Sequence, residues 1–123
     1  MRLGSWGCKK SLLPKRERDI QGSVMRIISR KILREFWGNP NFADSEQPLK
    51  IWFKIAEEGD WVTPADVKEK FRNASFLGGN RVVFNIAGNK YRLVVFINYP
   101  YRMVYIRFIG THAQYDKINA GEI

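Results

Sequence analysis

The stretch RVVFNIAGNKYRLVVFIN, Arg81 to Asn98, decides the fold. Arg81 to Ala87 alternates between apolar and other residues, Gly88-Asn89 interrupts it, and a second run follows from Lys90 to Asn98. Two alternating runs joined by a Gly-X pair form a β-hairpin, because glycine accepts the positive φ of a type II′ turn. With Gly88-Asn89 as a two-residue loop, Ala87 pairs with Lys90 and Asn85 with Arg92. Residues i, i+2 and i+4 share a face. One face then carries Val82, Phe84, Ile86, Tyr91, Leu93, Val95 and Ile97, which is a core face. The other carries Arg81, Asn85, Lys90 and Arg92.

Outward from the hairpin, Tyr99 to Arg102 reads as a turn and Met103 to Ile109 as the last strand. A four-residue turn pairs Val94 with Arg107. Arg107 then falls diagonally from Arg92 on the polar face, with Phe96 and Tyr105 further along. Thr111-His112-Ala113-Gln114 has capping-box spacing and opens a short helix from His112 to about Ile118. Upstream, Val24 to Ile28 contains a first strand. Ser29 reads as the N-cap of a helix whose apolar residues are Ile32, Leu33, Phe36 and Trp37, and Gly38-Asn39-Pro40 stops it. Asp44 and Ser45 offer caps for a second helix with the stripe Leu49, Trp52, Phe53 and Ala56, closed by Gly59. Thr63-Pro64-Ala65-Asp66 opens a third, short helix bearing Val67 and Phe71. Helices first and strands later indicate an α+β domain: amino-terminal helices packed on one face of an antiparallel β-meander, with a short carboxy-terminal helix.

The chain has 123 residues, 45% of them hydrophobic, which suits one packed domain. Its 21 basic and 12 acidic residues leave a net charge of +9. That favours an anionic partner, nucleic acid first and a membrane surface second. Cys8 is the only cysteine and His112 the only histidine. An internal disulfide, a Cys/His zinc cluster and a two-histidine acid/base mechanism are therefore excluded. The apolar run Leu93 to Ile97 is far too short to span a bilayer. Residues 1–24 hold six basic and two acidic residues. Their apolar centre, Ser11-Leu12-Leu13-Pro14, is too short for a secretory signal. They read as a basic extension, with an arginine-rich targeting segment or a true start at Met25 as alternatives, and the domain as residues 25–123.

Charge is uneven within that domain. Residues 25–80 hold nine basic and eight acidic residues, whereas 81–123 hold six and two. No Asp or Glu lies between Arg81 and Tyr115. A merely solvated face would leave these like charges repelling one another, and a phosphate or RNA surface accounts for them better. His112, Tyr115 and Asp116 stand at i, i+3 and i+4, on one face of the last helix. His112 is either a capping residue or a group oriented by Asp116 towards phosphate. Such a face suits RNA cleavage by the substrate's own 2′-hydroxyl. That reaction needs a base, an acid and cations for the charge of the transition state. Arginines supply the cations through bidentate contacts. His112, Lys90 and Tyr115 are the candidates for proton transfer, Lys90 with a pKa lowered by Arg92 and Arg107. The basic half has no carboxylate cluster, so no metal or other cofactor is expected.

The segments Arg81 to Val95 and Val104 to Lys117 resemble the HigB-type toxins of bacterial toxin–antitoxin modules. The most specific parts are Phe-Asn-x-x-Gly-Asn-x-Tyr-Arg-Leu at 84–93 and Thr-His-x-x-Tyr-Asp at 111–116. The resemblance covers about 25–120 and leaves residues 1–24 outside. It implies a RelE-like fold and a cytoplasmic, ribosome-dependent endoribonuclease that cleaves mRNA, with contacts to ribosomal RNA. It also implies a cognate helix-turn-helix antitoxin of the HigA type and no membrane partner. The active surface it implies comprises Asn85, Asn89, Lys90, Arg92, Arg107, His112 and Tyr115. In that scheme Arg92 and Arg107 hold the scissile phosphate, His112 or Lys90 moves protons, and Tyr115 orients or stacks a base. Asn85 and Asn89 contact RNA, and Arg81 lies at the rim. Two other classes share the same face: a non-catalytic RNA- or ribosome-binding module, and a surface made to be covered by an acidic protein. Deleting residues 1–24 should leave a cooperative thermal transition; its collapse would refute a domain boundary at residue 25.

Overall fold

A computed structural model describes residues 24–123. The basic extension assigned to residues 1–24 lies outside the described residues, apart from Val24. Strand β1 (Arg26–Ile28) leads into helix α1 (Arg30–Trp37), a 3-10 segment (Pro40–Ser45), and helices α2 (Glu46–Glu58) and α3 (Pro64–Lys70). Strands β2 (Ser75–Leu77), β3 (Arg81–Ile86), β4 (Tyr91–Asn98) and β5 (Met103–Thr111) follow, then one turn of helix, α4 (His112–Tyr115). The sheet order is β1-β5-β4-β3-β2. β2 to β5 form the expected antiparallel meander, but β1 joins β5 in parallel, so the sheet is mixed.

Local chemistry sets the element ends. Gly38 follows α1, and its N–H donates to the carbonyl of Arg34 at 2.9 Å. Pro64 opens α3, and the Asp66 carboxylate accepts from the N–H groups of Val62 and Thr63 at 2.8 and 3.0 Å. This satisfies donors that a helix start leaves orphaned. Ser45 differs from its expected capping role, since its hydroxyl donates to the Phe42 carbonyl at 2.6 Å and closes the 3-10 segment. That segment lacked a periodic signature in the sequence. It is held by aromatic packing: Phe42 stacks on Phe36 at 4.5 Å, and both meet the Tyr91 ring edge-on. Strand β2 was also unforeseen. It has three residues, Ser-Phe-Leu, and exists because Ser75 to Leu77 pair with Val83 to Arg81.

The hairpin register is the expected one, with Asn85 opposite Arg92 and Ile86 opposite Tyr91. Gly88 takes φ +71° and the N–H of Lys90 bonds the Ala87 carbonyl at 3.3 Å, a tight turn around Gly88-Asn89. Val82, Phe84, Ile86, Tyr91, Leu93, Val95 and Ile97 all face the helices in the main core, together with Leu33, Leu49, Trp52, Ala56 and Val67. Phe84 is its hub, with ring centroids of Phe71, Trp52 and Trp61 at 4.9, 5.4 and 6.5 Å.

A second, smaller core lies on the opposite sheet face. Val83, Val94 and Phe108 stand side by side across three strands. The carboxy-terminal segment covers them with Tyr115, Ile118, Ala120 and Ile123. The last helix is therefore one turn rather than a helix to Ile118; beyond Tyr115 the chain bends to lie over the sheet. Removing the Phe84 ring opens a cavity in the main core. Phe84→Ala should lower the stability measured by urea unfolding by about 3–5 kcal/mol.

Candidate active site

None of the five strands contains an aspartate or glutamate, and they carry four arginines: Arg26, Arg81, Arg92 and Arg107. The helices cover one face of this sheet. The other is basic, but it is not the single patch that alternation predicted. The register of β4 with β5 shifts between Val94 and Val95, so Val94 meets Phe108 while Val95 meets Ile106. The pairing of Val94 with Arg107 is thus corrected: Arg107 is the extra residue of a β-bulge. A bulge sets two residues opposite one and bends the strand, which re-aims a side chain. The Arg107 guanidinium lies over the rings of Phe96 and Tyr105, at 5.8 and 5.6 Å. It therefore belongs with Phe96 and not beside Arg92. Val94 and Phe108, under their carboxy-terminal cover, separate the two ends of the face.

At the hairpin end, Asn85, Arg92 and Gly110 form one transverse row. Asn85 is exposed and Arg92 half-buried. The Arg92 guanidinium donates to the Asn89 carbonyl at 3.1 Å and reaches the Tyr91 carbonyl at 3.4 Å. Among the described residues no carboxylate pairs with it. Asn89 thus shapes the turn through its main chain, and its side chain is exposed. Gly110 gives no sequence signal, but two side chains approach it closely. A Cβ there would stand 2.6 Å from both Gln114 Oε1 and Phe108 Cζ.

The last helix starts as its sequence indicates. Thr111 Oγ1 accepts from the Gln114 N–H at 3.1 Å, and Gln114 Oε1 accepts from the Thr111 N–H at 2.9 Å. The His112 N–H donates to the Lys90 carbonyl at 3.3 Å, which fixes the helix start against the hairpin turn. His112 Nδ1 lies 3.2 Å from Asp116 Oδ2, the orienting contact that the i, i+4 spacing suggested. Both side chains are more than half exposed. Tyr115, expected beside them, instead packs against Phe108, with ring centroids 6.4 Å apart, and is half-buried in the smaller core.

Lys90 and Arg81 depart from expectation. The Lys90 ammonium binds the Asp44 carboxylate of the 3-10 segment and lies over the Tyr91 ring. The Tyr91 hydroxyl donates to the same carboxylate. Asp44 holds the Lys90 pKa above the ordinary lysine value, so the lowering expected from Arg92 and Arg107 does not occur. Its hydrogen bonds to Lys90 and Tyr91 in turn hold Asp44 below the usual carboxylate range. Burial, followed by the bond to Asp44, pushes the Tyr91 phenol up. Arg81 is not a free rim residue. Its Nε donates to the main-chain oxygen of Ile123 at 2.8 Å, and its guanidinium lies 6.0 Å over Phe96.

Sequence reasoning missed a flank of the hairpin end. Beside Asn85 and Gly88 opens a cleft of ≈ 340 Å³ lined by Lys70, Arg72 and Asn73. On a helix end and a loop these residues resemble ordinary solvated charges, and only tertiary packing brings them to the hairpin. Together the end presents cations on two sides, an amide and one oriented imidazole. Those are groups that bind and cleave a phosphodiester. Among the described residues, no helix is long and apolar enough to cross a membrane.

Comparison with known proteins gives this arrangement its class. The sequence pattern of HigB_toxin, described as the RelE-like toxic component of a toxin-antitoxin system, matches residues 45–118. The chain belongs to this family. It is also 29% identical over 96 residues to the mRNA interferase HigB of Escherichia coli O6:H1, an alignment covering 76% of this chain and 91% of that protein.

The Lys90–Asp44 pair gives a pH signature. A lowered Asp44 pKa stabilises the fold above the ordinary value of 3.8, and this contribution disappears as pH falls through the folded-state pKa. Thermal melting of wild type and Asp44→Asn should therefore differ at neutral pH and converge below the carboxylate range; a constant gap down to acid pH would refute the pair.

Proposed function

We propose that this toxin is an endoribonuclease that cleaves mRNA on the ribosome, through attack of the RNA's own 2′-hydroxyl on the adjacent phosphorus. The observation that carries this reading is the row Asn85, Arg92 and Gly110, at the same sheet end as the Asp116-oriented His112, whose N–H bonds the Lys90 carbonyl, in a sheet whose strands contain no carboxylate. The relative's name, mRNA interferase, supports the same substrate and reaction. Arg92 binds the scissile phosphate and offsets the charge that grows in the transition state. With Nδ1 held by Asp116, His112 carries the transferred proton at Nε2. Lys90 remains an ammonium at neutral pH and acts as a cation, and as a brace through Asp44. Asn85 and Asn89 contact the RNA, and Tyr115 offers a ring edge at the rim. Lys70 and Arg72, across the cleft, meet flanking phosphates or ribosomal RNA.

The antitoxin implied by the family is, in this reading, a helix-turn-helix protein of the HigA type, and residues 1–24 are an extension of a domain at 25–123. Arg92→Ala should lower cleavage by about 10² or more. Induced expression should arrest bacterial growth and create new 5′ ends on a reporter mRNA in the wild type, and both should be lost in the variant. Arrest that persists in Arg92→Ala would remove this residue from the site. Growth arrest without new 5′ ends would instead indicate a binding module that blocks translation.

A further inference from the structure

The far end of the open face is organised differently from the hairpin end. Ile28, Tyr105, Phe96 and Arg81 stand in register across β1, β5, β4 and β3. Phe96 and Tyr105 are half-exposed, with ring centroids 6.1 Å apart, and Ile28 is 39% exposed. Large apolar side chains on an open sheet face normally mark a contact surface. The cations say what kind. Arg81 lies over Phe96, and Arg107 lies over both Phe96 and Tyr105. Among the described residues the Arg107 side chain has no ion pair or hydrogen bond, and no strand supplies a carboxylate.

We propose that Phe96 and Tyr105, with Arg107 between them, form a stacking platform for one or two unpaired bases of the single-stranded RNA flanking the cleaved bond. The proposal rests on the ribonuclease reading of the hairpin end and adds a second RNA subsite to it. Aromatic rings on a sheet hold splayed bases because every base has a π-face, and an arginine plane stacks in the same way while meeting the phosphate. The bulge takes Arg107 out of the ladder: without the register shift it would stand opposite Val94, diagonal to both Arg92 and Phe96. The covered strip of Val94 and Phe108 then separates base stacking at one end from phosphodiester chemistry at the other. An acidic protein is the competing occupant, but two half-exposed rings with arginine cations over them fit flat, charged nucleotides better.

The test uses the full chain and a uridine-rich single strand of ~12 nucleotides, 2′-O-methylated throughout so that it binds without being cut. Phe96→Leu/Tyr105→Leu should bind this strand at least ~10-fold more weakly than wild type, since each stacked base contributes substantially to such binding. Binding of the same sequence as a duplex, whose bases are not available for stacking, should not change. Phe96→Tyr and Tyr105→Phe should retain single-strand affinity, which separates stacking from packing. Independently of any variant, 5-iodouridine in the strand should cross-link the wild type on the tryptic peptides 93–102 and 103–107. Unchanged single-strand affinity in the double leucine variant, or cross-links confined to peptide 108–117, would overturn the platform. Absence of single-strand binding by the wild type would also overturn it and leave this row to a protein partner. Wild type that binds and cross-links as expected but creates no new 5′ ends in a reporter mRNA would overturn the ribonuclease reading alone.

Discussion

The register of β4 against its two neighbours is the constraint on which both ends of the face depend. On one side it pairs Arg92 with Asn85 and on the other with Gly110. Gly110 is buried without a side chain, so the Phe108 ring and the Gln114 amide can approach it. Gln114 holds the start of the last helix, and that start ties His112 to the main chain of Lys90. Arginine and histidine thus reach the same end of the sheet through the strand ladder, the Thr111–Gln114 cap and the His112 N–H bond to Lys90. Groups carried on strands and a helix start are held more precisely than groups on loops.

The same strand carries the bulge. A single register shift between Val94 and Val95 takes Arg107 out of the ladder, and its guanidinium lies over the Phe96 and Tyr105 rings. It also sets Phe108 beside Val94, where the carboxy-terminal residues Ile118, Ala120 and Ile123 cover them. One extra residue therefore accompanies the division of a basic surface into two regions. The Arg81–Ile123 bond ties the end of that cover to β3.

On the covered face, the helices do more than bury apolar area. The 3-10 segment places Asp44 under the hairpin turn, where it pairs with the Lys90 ammonium and accepts from Tyr91. This pairing keeps the lysine charged and engaged. It turns a residue that charge pattern alone would assign to proton transfer into an anchor between the layers.

Much was written locally. The alternation of Arg81 to Asn98 and the glycine at position 88 set the hairpin, its register and its core face, since strand periodicity and turn chemistry depend on neighbours in sequence. Thr111 and Gln114 likewise determined where the last helix begins, and the spacing of His112 and Asp116 determined their contact. The α+β class followed from the order of elements. Tertiary structure decided the rest. A bulge leaves no mark in alternation, so the place of Arg107 depended on which strand β5 met and where the ladder slipped. The pKa of Lys90 depended on Asp44, 46 residues away in the chain. Lys70 and Arg72 looked like solvent charges until packing of α3 brought them to Asn85. Periodicity assigns a residue to a face, but its neighbours on that face, and the charge it meets there, come from contacts between segments distant in sequence.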